Sequence, residues 1–197
     1  MTTRRSFLRT VALAMPFAAA AAARPPIRVT TSLRDATKSL VQGLQFGAAE
    51  AQHTAKLVGR TFELRVVTAN PDIVAAKDLL LRGRWHVRPD AGTYAQALAA
   101  AKQKHPAARI VAWHPHLERF GAGDLNKRYR AETGMAMDED AWFGWVAMKI
   151  LLEAALRNHD IAATRVDGHK GVPLRFNEHF RLQQPLYVVV NGKVVDA

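Results

Sequence analysis

Trp113-His114-Pro115-His116 concentrates more chemically capable side chains than any other four positions of the chain. In an extended segment alternate residues share a side, so the two imidazoles face the same way. A pair of histidines holds a divalent metal only with a third ligand, and none is close in sequence, so no metal is expected there. The run is suited to form a hydrogen-bonding, aromatic lip for a ligand, with Trp113 or the distant Trp142 stacking and His114 and His116 donating. It is equally compatible with plain surface packing. Asp138 and Asp140 are spaced as a carboxylate pair, but their place at the head of a helix accounts for them. The chain has no Gly-x-Ser-x-Gly, His-Glu-x-x-His, phosphate-loop or dinucleotide-binding pattern. It has no cysteine either, which excludes thiol chemistry and cysteine-ligated metals. A binding protein without cofactor is expected, not an enzyme.

The elements that must position these residues follow from hydrophobic periodicity. Ile27 to Thr31 alternates with β-branched residues and predicts a strand. A helix capped by Asp35 follows, with Leu40, Leu44, Ala48, Ala51 and Ala55 recurring at three or four. Gly43 and Gly47 lie beside that stripe, and Gly59 ends the helix. Thr61 to Thr68 reads as a second strand. Pro71 opens a predicted helix through Ile73, Ala76 and Leu80 that closes near Gly83.

A short strand at Trp85 to Arg88, a helix over Thr93 to Lys104 and a strand from Arg109 to Trp113 come next. A helix from Gly123 to Ala131 precedes the helix Glu139 to Asn158, capped by Asp138 and expected to be the longest. Lys149, Glu153 and Arg157 form its solvated stripe, and Trp145, Met148, Leu152 and Ala155 its buried side. Strands at Pro173 to Phe176 and Pro185 to Val190, then a turn at Asn191-Gly192 and a last strand, predict a closing β hairpin. Alternation of this kind predicts an α/β domain: a mainly parallel sheet with helices on both faces, Rossmann-like. In such sheets ligands sit beyond the carboxyl ends of the strands. That selects Ser32, Thr68, Asn70 and the His114 to His116 run, with turn or cap duty the competing reading for Ser32 and Asn70.

Two features place the protein outside the cytoplasm. The opening Thr3-Arg4-Arg5-Ser6-Phe7-Leu8-Arg9, followed by the apolar run Val11 to Ala20, has the order of a signal peptide. Its paired arginines match the twin-arginine type. An apolar run of about ten residues is too short to cross about 30 Å of hydrocarbon. Ala21 and Ala23 fit a cleavage site, so residues 1–23 are expected to be removed and residues 24–197 to form a single domain. The full chain carries a formal +11, and the leader holds three arginines and no acid, so the remainder stays basic. Its Lys and Arg are spread rather than bunched, which argues for solubility over nucleic-acid binding.

Both ends of the chain beyond the leader resemble the type I periplasmic substrate-binding proteins, the receptors of branched-chain amino-acid ABC transporters. The resemblance lies in the Gly- and Ala-rich helix (GLQFGAAEA) leading into Leu57-Val58-Gly59-Arg60-Thr61-Phe62-Glu63-Leu64. It continues in LNKRYRAETG at 125–134, in AWFGWVAMKILLEAALR, and in Asp167-Gly168-His169-Lys170-Gly171-Val172-Pro173-Leu174-Arg175-Phe176. The Gly-His-Lys-Gly form, with Leu182-Gln183-Gln184-Pro185, resembles the variant associated with PQQ-dependent alcohol oxidation. The departure is length, since most of the second lobe is missing between roughly Trp85 and Trp113. The resemblance implies a periplasmic component that holds a small molecule at the carboxyl ends of the strands for an ABC permease. An accessory protein docking on a periplasmic quinoprotein dehydrogenase or its cytochrome is the alternative, and pairing of two copies as a homodimer to rebuild a cleft stays open.

Overall fold

The computed structural model describes residues 26–32, 36–67, 73–76, 79–82, 86–157 and 160–196. The predicted leader, and with it the cleavage site, lies outside them. No helix among the described residues is long and apolar enough to cross a membrane.

The first strand, β1 (Ile27–Ser32), runs into α1 (Lys38–Leu57) and then β2 (Phe62–Val67). Thr37 caps α1 by accepting the Leu40 amide at 3.1 Å, while Asp35 lies outside the described residues. Gly59 follows the last turn with φ +69°, the left-handed conformation a helix-terminating glycine supplies. β1 and β2 pair in parallel, Ile27 opposite Phe62 through Ser32 opposite Val67. This strand, helix, strand unit is the one the sequence predicts.

The next segment departs from expectation. The predicted helix through Ile73, Ala76 and Leu80 is instead two strands, β3 (Ile73–Ala76) and β4 (Leu79–Arg82), paired antiparallel. Apolar residues at 73, 76 and 80 fit a helical period, but a short run containing Ile73-Val74 and Leu79-Leu80-Leu81 suits a strand as well. A short return between neighbouring strands is necessarily antiparallel, because a parallel pair needs a long crossover. The sheet order is therefore β2-β1-β3-β4 with one parallel pairing.

The predicted strand at 85–88 is reduced to an isolated parallel bridge between His86 and Arg181, with Trp85 outside the described residues. Then come α2 (Ala91–Lys104), β5 (Arg109–Val111), α3 (Ala122–Thr133) and α4 (Glu139–Arg157). The chain ends in β6 (Val166–Asp167), β7 (Pro173–Phe176), β8 (Leu182–Gln183), β9 (Tyr187–Val190) and β10 (Lys193–Asp196). β9 and β10 form the expected closing hairpin, with Asn191 and Gly192 both at positive φ as a tight two-residue turn requires.

The remaining strands form two small antiparallel sheets, β10-β9-β5 and β6-β7-β8. The fold is thus mixed α/β, as predicted, but a mainly parallel sheet is not what forms.

α1 and α4 build the centre. Helix α4, at 19 residues, is one shorter than α1, and it is apolar on nearly every side, as a helix buried in a core must be. Where the helices meet, glycines let the backbones touch. A Cβ on Gly43 would lie 1.9 Å from the Ala141 carbonyl oxygen, and one on Gly144 would lie 2.3 Å from that of Leu40. The expected outer stripe of α4 holds at its end, where Arg157 Nε meets Glu153 at 2.9 Å. Lys149 instead lays its ammonium over the Trp145 ring.

The heads of α1 and α4 are tied by the two aspartates. Asp138 caps α4 by accepting the Ala141 amide at 2.9 Å and also accepts from Ser39 Oγ. Asp140 accepts from Thr37 Oγ1 at 2.6 Å and pairs with Arg88 at 2.7 Å. Asp138 is the cap read from sequence, while Asp140 makes tertiary contacts instead of capping.

Candidate functional site

Strand β5 delivers Ala112 to His116 into a loop shaped by one amide. Asn126, buried on α3, donates through Nδ2 to the carbonyls of Pro115 (2.9 Å), Leu117 (3.2 Å) and His114 (3.5 Å). Its Oδ1 accepts from Trp113 Nε1 at 3.0 Å. Carbonyls in a turn this tight have no strand partner, so a side-chain amide satisfies them. The Leu117 amide closes the turn onto the His114 carbonyl at 3.1 Å.

The two tryptophans read as ligand-stacking candidates are internal. Trp113 is 1% exposed and Trp142 0%. They stack on each other with ring centroids 5.6 Å apart and planes 10° from parallel. Trp142 Nε1 donates to the Gly168 carbonyl at 3.3 Å.

His114 is buried. Its Nδ1 accepts the His116 amide at 3.2 Å, and its ring meets that of His116 edge-on at 5.2 Å. Burial lowers the His114 pKa, helped by the neighbouring positive charge of His116 and Arg109. His116 is exposed and stands at the junction of two clefts.

The larger cleft, about 580 Å³, lies between the loop and the start of α3. Its walls carry His116, Glu118, Asp124, Lys127 and Arg130, with Asn126 among its lining residues. Asp124 and Lys127 approach at 3.8 Å on the open surface. Arg130 has no ion pair among the described residues. The second cleft, about 370 Å³, lies on the other side of His116, Leu117 and Glu118, against Tyr187 and the end of the closing hairpin. The Tyr187 hydroxyl is buried without a hydrogen-bond partner among the described residues, and burial pushes its pKa up to about 12.

Beneath the loop lies a polar hub that sequence reasoning missed. Lys170, 3% exposed, donates from Nζ to the Ala112 carbonyl, to Gln184 Oε1 at 2.9 Å and to the Pro185 carbonyl at 2.9 Å. Its ammonium also faces the rings of Trp142 (4.2 Å) and Tyr187 (5.1 Å). Desolvation holds its pKa well below the usual lysine range, opposed by the charge of Glu139. Three oxygens match the three hydrogens of an ammonium, and two ring faces replace part of the lost hydration. Glu139 accepts from the Ala112 amide and from the Tyr94 hydroxyl (2.6 Å). Both polar groups of Ala112, the first residue after β5, are thereby fixed. The one signal in the sequence was a lysine set between two glycines in Gly168-His169-Lys170-Gly171.

Of the remaining predicted residues only the backbone of Ser32 falls among the described residues. Ser32 ends β1 in the four-stranded sheet, while the 113–116 run leaves β5 in a separate sheet. Thr68 and Asn70 lie outside the described residues. Among the described residues no group of three or more His, Asp or Glu side chains is placed to hold a metal ion.

No family model and no curated protein matches the chain. Among solved structures it is similar to a solute-binding protein of an ABC transporter from R. palustris, solved in complex with benzoate. The identity is 14% and the TM-score 0.37, over 80% of this chain and 62% of that protein. The chain thus spans less than two thirds of that protein's length.

Proposed function

We propose that this chain is an exported binding protein of the periplasmic solute-binding kind, holding a small polar molecule beside the loop that follows β5. One observation carries the reading: a cleft of about 580 Å³, within the range of small-molecule sites, opens where the rigidly held 113–117 turn meets α3. The turn cannot drift, because Asn126 binds three of its carbonyls. The rim mixes Lys127 and Arg130 with Glu118 and Asp124, so a ligand with charged or hydrogen-bonding groups gains contacts that an apolar one does not. His116 supplies a further donor from the predicted lip.

The paired arginines of the leader support a location in the periplasm, and an ABC permease is the partner this reading implies. The test is a thermal-shift and calorimetric screen of the purified protein against amino acids, aromatic acids including benzoate, short organic acids and pyrroloquinoline quinone. A binder whose affinity falls at least tenfold in Arg130→Gln and in His116→Ala supports the site. Absence of any binder removes the reading, and a binder indifferent to both substitutions moves the ligand elsewhere.

A further inference from the structure

The β6-β7-β8 sheet carries an arrangement that a sheet built only for stability avoids. Its register pairs Val166 with Leu174 and Asp167 with Pro173, and continuing it one residue beyond β6 brings Arg165 to the position of Arg175. Arg175 in turn pairs with Gln183 on β8. Val166, Leu174, Phe176 and Leu182 are buried on the inner face, so Arg165, Arg175 and Gln183 form one row on the exposed face. Directly opposite side chains start about 5 Å apart at Cβ, and like charges so placed are destabilising.

Neither guanidinium has an ion pair or hydrogen bond among the described residues. Asp167 shares the face two residues from Arg165, but its carboxylate accepts the His169 amide at 2.8 Å and lies 3.9 Å from the His169 ring. Both arginines line the same cleft of about 440 Å³, whose walls include Val172, Pro173 and Gln183 and no acidic residue. None of these residues lines either cleft beside the 113–119 loop.

From this geometry we infer an oxyanion site: Arg165 and Arg175 together take a phosphate group, free or as a monoester. Two planar guanidinium forks lining one cleft match the several acceptor oxygens of a phosphate. Its charge of nearly two at neutral pH cancels the repulsion between them. Gln183 adds an amide donor beside Arg175, and Val172 and Pro173 give an esterifying group an apolar wall.

The experiment is thermal unfolding of the purified chain at pH 7.5 with inorganic phosphate or glycerol phosphate, against sodium chloride at matched ionic strength. At about ten times Kd, phosphate is expected to raise Tm by roughly 3–6 °C beyond the salt control. The double variant Arg165→Gln, Arg175→Gln is expected to lose that response while melting no lower than the parent without phosphate. A larger shift with glycerol phosphate than with free phosphate assigns the site to the ester, and the reverse to the free ion. Equal shifts in phosphate and chloride overturn the proposal, as does a double variant that keeps the phosphate response. Failure of the solute screen at the β5 cleft leaves this result untouched, because the readout depends on different residues.

Discussion

The α1–α4 contact and the hub around Lys170 hold the molecule together by opposite means. In the first, the closest approach dispenses with side chains: Gly43 and Gly144 bring backbone against backbone, and polar ties such as Thr37 to Asp140 and Trp145 to Glu50 lie beside it. In the second, a lysine amine is buried 3% exposed and donates to three oxygens from two other stretches of chain, Ala112 and the neighbouring Gln184 and Pro185. Close backbone contact fixes two helices where residues 40–47 meet residues 141–148. A buried ammonium with three acceptors fixes a point, gathering the exit of β5, the 184–185 segment and the 167–171 turn. The first arrangement specifies architecture, and the second specifies where the loop of the candidate site stands.

The comparison breaks most visibly at the glycines. Gly144→Val should cost about 3 kcal/mol or more in urea unfolding, because the new Cβ meets the Leu40 carbonyl and Leu44 amide, backbone atoms that cannot turn aside. A cost under about 1 kcal/mol would mean that the helices do not touch as described.

Lys170→Met keeps the length and apolar stem but leaves the Ala112 and Pro185 carbonyls without their donor. The expected loss is roughly 2–3 kcal/mol, since orphaned buried acceptors cost about 1–3 kcal/mol while removing a desolvated charge offsets part of that. Amide hydrogen exchange should quicken in residues 112–117 more than in α1, and uniform quickening would make Lys170 a general core residue.

His114 tests the same loop by pH. Its folded pKa is depressed, so below the unfolded value of about 6.5 the unfolded chain takes up a proton that the folded chain resists. Stability contributed by neutral His114 is present above that value and is lost as pH falls toward the folded pKa. His114→Gln should flatten the decline in Tm between pH 7 and 5, and an unchanged slope would place its origin in other histidines.

The smallest effect is expected at Tyr187. Its hydroxyl is buried and unpartnered, so Tyr187→Phe should change stability by less than about 1 kcal/mol, in either direction. In the parent, Tyr187 retains its proton to about pH 12, so the unfolded chain ionises first and stability falls from pH 10 upward. The variant should lose part of that fall.

Much of the fold was legible because it is local. The N-terminal cap of α4, the Gly59 terminator, the Asn191-Gly192 turn and the period of α1 are written in residues a few positions apart. The segment through Ile73, Ala76 and Leu80 was misread as a helix because four-residue strands are too short for periodicity to separate from a helical stripe. That misreading removed one parallel crossover, and the antiparallel pairing of β5 with β9 in a separate sheet removed another.

The sequence by itself located the helices α1 to α4 and the run at 113–116 that borders the candidate site. Only the tertiary structure decided that Trp113 and Trp142 stack on each other inside the core, that Asn126 and Lys170 shape the loop, and that Arg165 and Arg175 line one cleft. The reason is physical: local propensity and period act over a few residues, whereas a buried donor's choice of acceptor depends on which carbonyls lack partners once the whole chain has closed around it.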